Sequence, residues 1–517
     1  MRNVLVALGL FLLAGCAVNP VTGERNLNFM SEDWERSVGT EQYAPLRQAQ
    51  GGDFILDPEL TAYVNRVGNS LAAHAKRDFD WEFHVLNDST PNAWALPGGK
   101  IVINRGLLTE MQSEAELAAV IGHEIVHADA AHGARAQSKG VLTQVGAVGG
   151  MILLGTQVDD RTLQQVGMLG VQLGAQLVTT SYGRDAERES DKYGMQYMSA
   201  AGYNPQGAVD LQKTFVKLSQ GRNQSWLEGL FASHPPSPER VANNQKTAQQ
   251  LPVGGTWGRE RYQQKMAYLH SLQPAYDAYD KGRKALSEKE AVQARKFANQ
   301  AIKLESKEAL FHGLLGDTYT HEEQYKKAES AYTDALKRDT GFFYYFLRRG
   351  QVRHELERFD SSRQDLTRSN ELLPTSQANY LLGNLAQRDG NQQQAMQFFQ
   401  AAAADTGSPA GLSAQREVVS FELPRRPDKY IRVGAVPLSG DRVGLEIGNA
   451  SPVAVKGIVV EVKFVDGAGQ VKRFNQPVNA VLNSQTKNVV RTRLMGIPAD
   501  QVRRRVAVRV VGAQVAE

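Results

Sequence analysis

Apolar residues recur at helical spacing through 58–75, 113–132 and 184–201, which predicts amphipathic helices there. One short stretch breaks that rhythm. "KIVINRGLL" (100–108) follows a "PGG" turn and is rich in β-branched residues, so it predicts a strand. From about residue 275 the helical pattern itself repeats. Gly282, Gly316, Gly350 and Gly383 are spaced by 34, 34 and 33 residues. Small residues follow each glycine at two fixed offsets: Ala294, Ala328, Ser362 and Ala395, then Ala301, Ala335, Ser369 and Ala402. Between them fall Ala298, Tyr332, Leu366 and Phe399. After about residue 428 the period shortens to two around Gly, Asn and Asp turns, as in "RVGLEIGNAS" and "VKGIVVEVKFVDGAGQVKRF".

These patterns divide the chain. Residues 51–250 predict a mostly α domain with a small β edge. Residues 275–402 resemble tetratricopeptide repeats, helix–turn–helix units that stack into a solenoid. Small residues sit where two helices of a unit approach, and the larger residue fills the gap to the next unit. Residues 403–427, rich in Ala, Gly, Ser and Pro, predict a linker. Residues 428–517 predict an all-β sandwich of immunoglobulin-like type.

A net charge of +4 over 517 residues gives no reason to expect nucleic acid. The single cysteine is informative by its place. The chain opens "MRNVLVALGLFLLAGCAVNP", with a basic residue and an apolar run too short to span a bilayer. "LAGC" resembles the lipobox of bacterial lipoproteins. That resemblance implies a signal peptide at 1–15, lipid on Cys16, and residues 16–50 as a lipidated tether and first helix. Ala17 after the cysteine implies the periplasmic face of the outer membrane. With Cys16 acylated, a metal site must draw on His, Asp and Glu.

"HEIVH" places His123 and His127 one turn apart on one helical face, with Glu124 beside them. Ser113 and Glu116 form a capping-box pattern just upstream. The pair fits one catalytic Zn2+ per chain, which takes three protein ligands and leaves a position for water. "YGRDAERESDKYG" (182–194) offers the third. Glu187 and Asp191 share a face there, so one acid can bind the metal and the other can accept a ligand histidine's free ring N–H. Glu189 points roughly opposite. His132, nine residues from His123, is turned about 180° away on a continuous helix. His74, His84, His270, His312, His321 and His354 show no ligand spacing.

Four stretches together, "NAWALPGGKIVINRGLL" (92–108), "HEIVH", "RDAERESD" and "SHPPSPERV" (233–241), resemble the zinc metallopeptidase family of the HtpX and CAAX-prenyl-endopeptidase type. The lipobox and repeats narrow the likeness to its periplasmic members. The resemblance implies a zincin-like fold, Glu187 as third ligand, Asp191 as its supporting acid and Glu124 as base. It implies that Asn92, Ala93, Trp94 and Ala95 pair with an extended substrate. It further implies that His234 steadies the oxyanion or caps the metal at rest. The expected function is zinc endopeptidase in quality control of outer-membrane proteins. Unfolded or misassembled envelope proteins are the expected substrates, and the repeats would dock clients or the assembly machinery. The alternative is a chaperone-like scaffold whose peptidase site is mostly closed. The glycine-rich 139–180 stretch is a candidate lid.

Overall fold

The computed structural model describes residues 16–153, 182–221 and 234–516. The proposed signal peptide and most of the candidate lid lie outside them. Residues 139–153 belong to a helix that begins at His132. Among the described residues, no helix is long and apolar enough to cross a membrane. The chain divides into two compact units between Val352 and Arg353.

The first unit begins with a hairpin, β1 (Cys16–Val18) and β2 (Arg25–Leu27), in the stretch expected as a tether. Asn19 closes its turn by accepting from Val21 N at 2.9 Å, and Val21 is buried in the main core. Those two contacts fold a polar stretch onto the domain. Helix α1 (Glu32–Ala49) follows, capped by Ser31, and then α2 (Pro58–Ala72), capped by Asp57 with proline in its first turn.

The sheet has three strands, β3 (Glu82–Leu86), β4 (Ala93–Leu96) and β5 (Lys100–Asn104), in the order β3–β5–β4. Strand β5 lies parallel to β3 and antiparallel to β4, which leaves β4 at an edge. Gly98 and Gly99, at φ 80° and 83°, make the tight turn between β4 and β5. The pleat sends Trp94 to one face, into a cluster with Tyr43 and Leu46 of α1, while Ala93 and Ala95 join the main core.

Helix α3 (Glu114–Asp129) is buried along its whole length, so it forms the centre of the domain. Ser113 accepts from Glu116 N at 3.2 Å, and the Glu116 carboxylate accepts from Gln112 N at 2.8 Å. Ala131, at φ 56°, ends that run, and α4 (His132–Leu153) starts in a new direction. Helices α5 (Arg184–Ala200), α6 (Gln206–Gly221) and α7 (Pro238–Gln250) complete the domain around α3. The α3–α5 crossing is close because two glycines meet there. A Cβ on Gly122 would lie 2.9 Å from Gly194 O, and one on Gly194 would lie 2.8 Å from His123 N. That close approach brings the acids of α5 to the histidines of α3.

Helical hairpins follow: α8 (Arg259–Ser287) with α9 (Ala291–Leu304), and α10 (Ala309–His321) with α11 (Tyr325–Leu336). The repeat positions read from the sequence are the buried ones. Ala294, Ala298 and Ala301 line α9, while Ala328, Tyr332 and Ala335 line α11. Gly316 makes room for the Tyr332 ring, since a Cβ there would come within 2.5 Å of it.

In the second unit, Phe359–Leu372, Ser376–Arg388 and Gln392–Ala403 are helical. The expected linker differs from what the structure shows: Pro409–Glu422 is a helix. Ser408 caps it and Pro409 occupies its first turn, so the turn-like composition is a helix start. Its Ala414 packs against Phe399 and Ala402. The tail forms two three-stranded antiparallel sheets, each with a central strand, Arg442–Asn449 in one and Val455–Val465 in the other. One apolar cluster containing Leu445, Ile447, Val460 and Val462 joins them. The tail is a two-sheet unit of six strands, smaller than the seven of the immunoglobulin-like type expected for it.

Candidate metal centre

Helix α3 presents His123 and His127 with their Nε2 atoms 3.0 Å apart. Glu187, from the first turn of α5, lies 3.5 Å from His123 Nε2 and 3.4 Å from His127 Nε2. His234 enters just before α7, with Nδ1 3.3 Å from His123 Nε2 and 3.0 Å from Glu187 Oε1. All four side chains are buried, and one donor atom from each lies within 4.8 Å of the others.

The donor set fits zinc. Two donors bound to one tetrahedral zinc lie about 3.3 Å apart, given bonds of about 2.0–2.1 Å. Five of the six pairs here come within 3.0 to 3.5 Å, and the whole set within 4.8 Å. Two imidazoles and a carboxylate, with a third imidazole in the remaining position, are ligands that zinc accepts.

Glu124 sits beside this group, 3.6 Å from His234 Nε2 through Oε1. Its other oxygen, Oε2, is buried and accepts no hydrogen bond among the described residues. Burial pushes the Glu124 carboxyl up, against the pull of His234 and His123. It is therefore a carboxylate with raised proton affinity at the edge of a donor cage.

The two histidines of α3 are held from behind. His123 Nδ1 lies 3.0 Å from Asp191 Oδ1, as the sequence reading of Asp191 requires. Arg240 fixes that carboxylate with two hydrogen bonds of 2.8 and 2.7 Å, and its Nη1 lies 3.1 Å from Glu187 Oε2. Burial raises the Asp191 and Glu187 carboxyls, but Arg240 at Asp191 and the histidines around Glu187 more than reverse it and hold both below the ordinary carboxylate range. Burial also opposes charge on His123. Asp191 and Glu187 win there, and its pKa stands up to about 10.

His127 has a different support. Its Nδ1 lies 2.9 Å from Nδ1 of His132, whose Nε2 is 3.3 Å from Glu189 Oε1. Asn19 of the N-terminal hairpin donates to the same Glu189 oxygen at 2.5 Å, and Arg135 Nη1 lies 3.5 Å from Oε2. The expectation that His132 faces away is corrected, because the bend at Ala131 returns it to the site. The Tyr182 ring stacks on His127 at 4.2 Å between centroids. Burial leaves His127 well below the ordinary histidine value, and His132 below it too.

The structure therefore gathers His123, Glu124, His127, Glu187, Asp191 and His234 at one place. The Trp94 side chain lies elsewhere: it packs under α1 and donates from Nε1 to Gln50. Asn92 keeps a buried Oδ1, unpaired among the described residues, at the start of the β4 edge. Arg240 and Tyr182 were not singled out by sequence, and His132 was set aside there as facing away. Arg240 lies within the "SHPPSPERV" stretch, so its neighbourhood was visible though its role was not.

The "Peptidase family M48" description matches residues 58–248, and the "Tetratricopeptide repeat" description matches 310–341. The chain is 31% identical over 239 residues to the beta-barrel assembly-enhancing protease of Yersinia pestis, covering 45% of this chain and 48% of that one. It is 32% identical over 217 residues to the protein of that name from Escherichia coli K12, covering 40% and 42%. It is 32% identical over 226 residues to the mitochondrial metalloendopeptidase OMA1 of Schizosaccharomyces pombe, covering 43% and 63%. The matched stretch spans about half the length of these curated relatives, between 42% and 63%. The M48 match contains every residue of the donor cage together with Glu124, Asp191 and Arg240. Residues 58–248 are a peptidase family M48 domain, carried in one chain with a tetratricopeptide repeat.

Proposed function

We propose that this protein is a zinc-dependent endopeptidase anchored through Cys16 to the periplasmic face of the outer membrane, where it acts on unfolded or misassembled envelope proteins. The observation that carries the reading is the donor cage of His123, His127, Glu187 and His234 beside the buried, unpaired oxygen of Glu124. The beta-barrel assembly-enhancing proteases among its relatives point to barrel proteins as the substrate class.

Zinc held by His123, His127 and Glu187 would supply an acidified water and a polarised scissile carbonyl. Glu124 is the base of this chemistry. Its burial favours the protonated form, so it accepts a proton readily and can hand it on to the departing amine. Asp191 and the His132–Glu189 pair hold the two ligand rings in orientation. His234 caps the cage at rest and withdraws to admit substrate, where it can then donate to the developing oxyanion. The edge strand from Ala93 to Leu96 aligns the substrate backbone, with the small side chains of Ala93 and Ala95 on the core side. The repeats present clients or dock assembly machinery.

The test is cleavage of unfolded outer-membrane barrel proteins by wild type and Glu124→Gln. Cleavage by wild type alone supports the reading. Equal behaviour of the two removes peptidase activity as the function.

A further inference from the structure

A cavity of about 30 Å³ opens beside the donor cage, between α3 and α6. Val120, Leu211 and Phe215 form apolar walls, and His123, Glu124 and His234 line its catalytic side. Asp191, Arg240 and Asn244 also line it, and one further polar group stands out. Gln212 is only 4% exposed, and its Oε1 is buried with no hydrogen-bond donor among the described residues. Native proteins seldom leave a buried amide oxygen unpaired, and those that remain call for a functional reason. The mechanism above makes no use of Gln212.

We propose that this cavity is a specificity pocket for a small hydroxyl side chain, serine or threonine, with the hydroxyl donating to Gln212 Oε1. The inference rests on the peptidase reading. The size of the cavity limits the class, because about 30 Å³ of space open to water-sized groups holds about two of them. It takes a terminal hydroxyl and not a leucine or an aromatic ring. The chemistry of Gln212 limits it further, since its unpaired Oε1 accepts a hydroxyl proton, whereas Asp191 and Arg240 are already paired with each other. Glu124 places the pocket along the substrate. It lines the cavity and serves the departing amine, so the side chain belongs to the residue that keeps that amine. Cleavage is then favoured before serine or threonine. A site built to pair a hydroxyl discriminates against analogues that lack one, because its own polar group is left unmatched.

The test uses the full-length, zinc-loaded protein and a peptide library, with the new N-termini read by mass spectrometry. Wild type, Gln212→Leu, Val120→Ala and Glu124→Gln are compared, with thermal melting as the check on folding. Wild-type products are expected to be enriched in N-terminal serine and threonine by about tenfold over alanine and valine. Gln212→Leu, of similar volume, removes the enrichment and turns the preference toward alanine and valine. Val120→Ala widens the pocket, so it admits larger side chains while the hydroxyl preference persists. Cleavage by wild type with no such enrichment, or enrichment that survives Gln212→Leu, overturns the inference and leaves the peptidase reading standing. Identical termini from wild type and Glu124→Gln, or no cleavage by either, overturn the peptidase reading and this inference with it.

Discussion

His127 and His132 meet through their Nδ1 atoms at 2.9 Å, although they belong to different helices. Only one proton fits between two such nitrogens. With Nε2 of His127 turned to the donor cage, its Nδ1–H donates to His132, whose Nε2–H then faces Glu189. His123 meets its carboxylate directly, whereas His127 meets a second imidazole whose Nε2 lies 3.3 Å from one. His132→Ala is therefore expected to weaken zinc binding by about 10–100-fold while the fold is kept. His132→Asn, which retains an acceptor, recovers part of the loss. Competition with a chromogenic chelator measures both, and an unchanged affinity in His132→Ala refutes the relay.

Gly194 allows α5 to touch α3 at the residue before His123. A methyl group there meets backbone, which cannot turn aside as a side chain does. Gly194→Ala is expected to destabilise the protein by about 1–3 kcal/mol. It should weaken zinc binding as well, because Glu187 and Asp191 ride on the displaced helix. Urea unfolding of the metal-free protein, paired with zinc titration, separates the two effects.

Arg240 is the buried cation that balances Asp191 and Glu187. Arg240→Met leaves both carboxylates buried with less compensation, and the metal-free protein should lose about 3–5 kcal/mol. Adding Asp191→Asn removes one of the stranded charges and should recover part of that loss. Denaturant unfolding of the single and double variants gives the comparison.

Zinc uptake should also be visible as proton release. In the metal-free protein burial disfavours charge on His123, yet Asp191 and Glu187 hold its pKa up to about 10. A folded value above the unfolded one means that this interaction stabilises fully below about pH 6.5 and fades as pH rises toward 10. A ligand histidine must be neutral, so binding at pH 8 should expel about one proton from His123. His127, held well below the ordinary value, contributes none. Calorimetry in buffers of different ionisation enthalpy counts the protons, and zero at pH 8 contradicts this balance.

Much of the site could be read from local spacing. His123 and His127 are one turn apart, and Glu187 and Asp191 are one turn apart, so each pair's shared face follows from helix geometry. The repeat positions, such as Ala328 and Tyr332, were legible because a fixed period exposes them. What stayed hidden depended on where one segment ends and another returns. His132 was placed on the far face of a straight helix, and the break comes at Ala131, an alanine at φ 56° that carries none of the signal a glycine would. Gln212 lies on a helix packed against α3 and Arg240 on one packed against α5, and both packings are tertiary facts. The linker reading at 403–427 failed for a local reason, since Ser408 and Pro409 start a helix as readily as they mark a loop.

The central claim is that His123, His127 and Glu187 hold one zinc on which Glu124 acts. Metal analysis of the purified full-length chain, run beside cleavage of an unfolded barrel protein, tests it most directly. About one zinc per chain is expected in wild type and in Glu124→Gln, with cleavage only in wild type. His123→Ala and Glu187→Gln should lose both metal and cleavage. Full zinc occupancy without His123 or Glu187, or undiminished cleavage by Glu124→Gln, would contradict it.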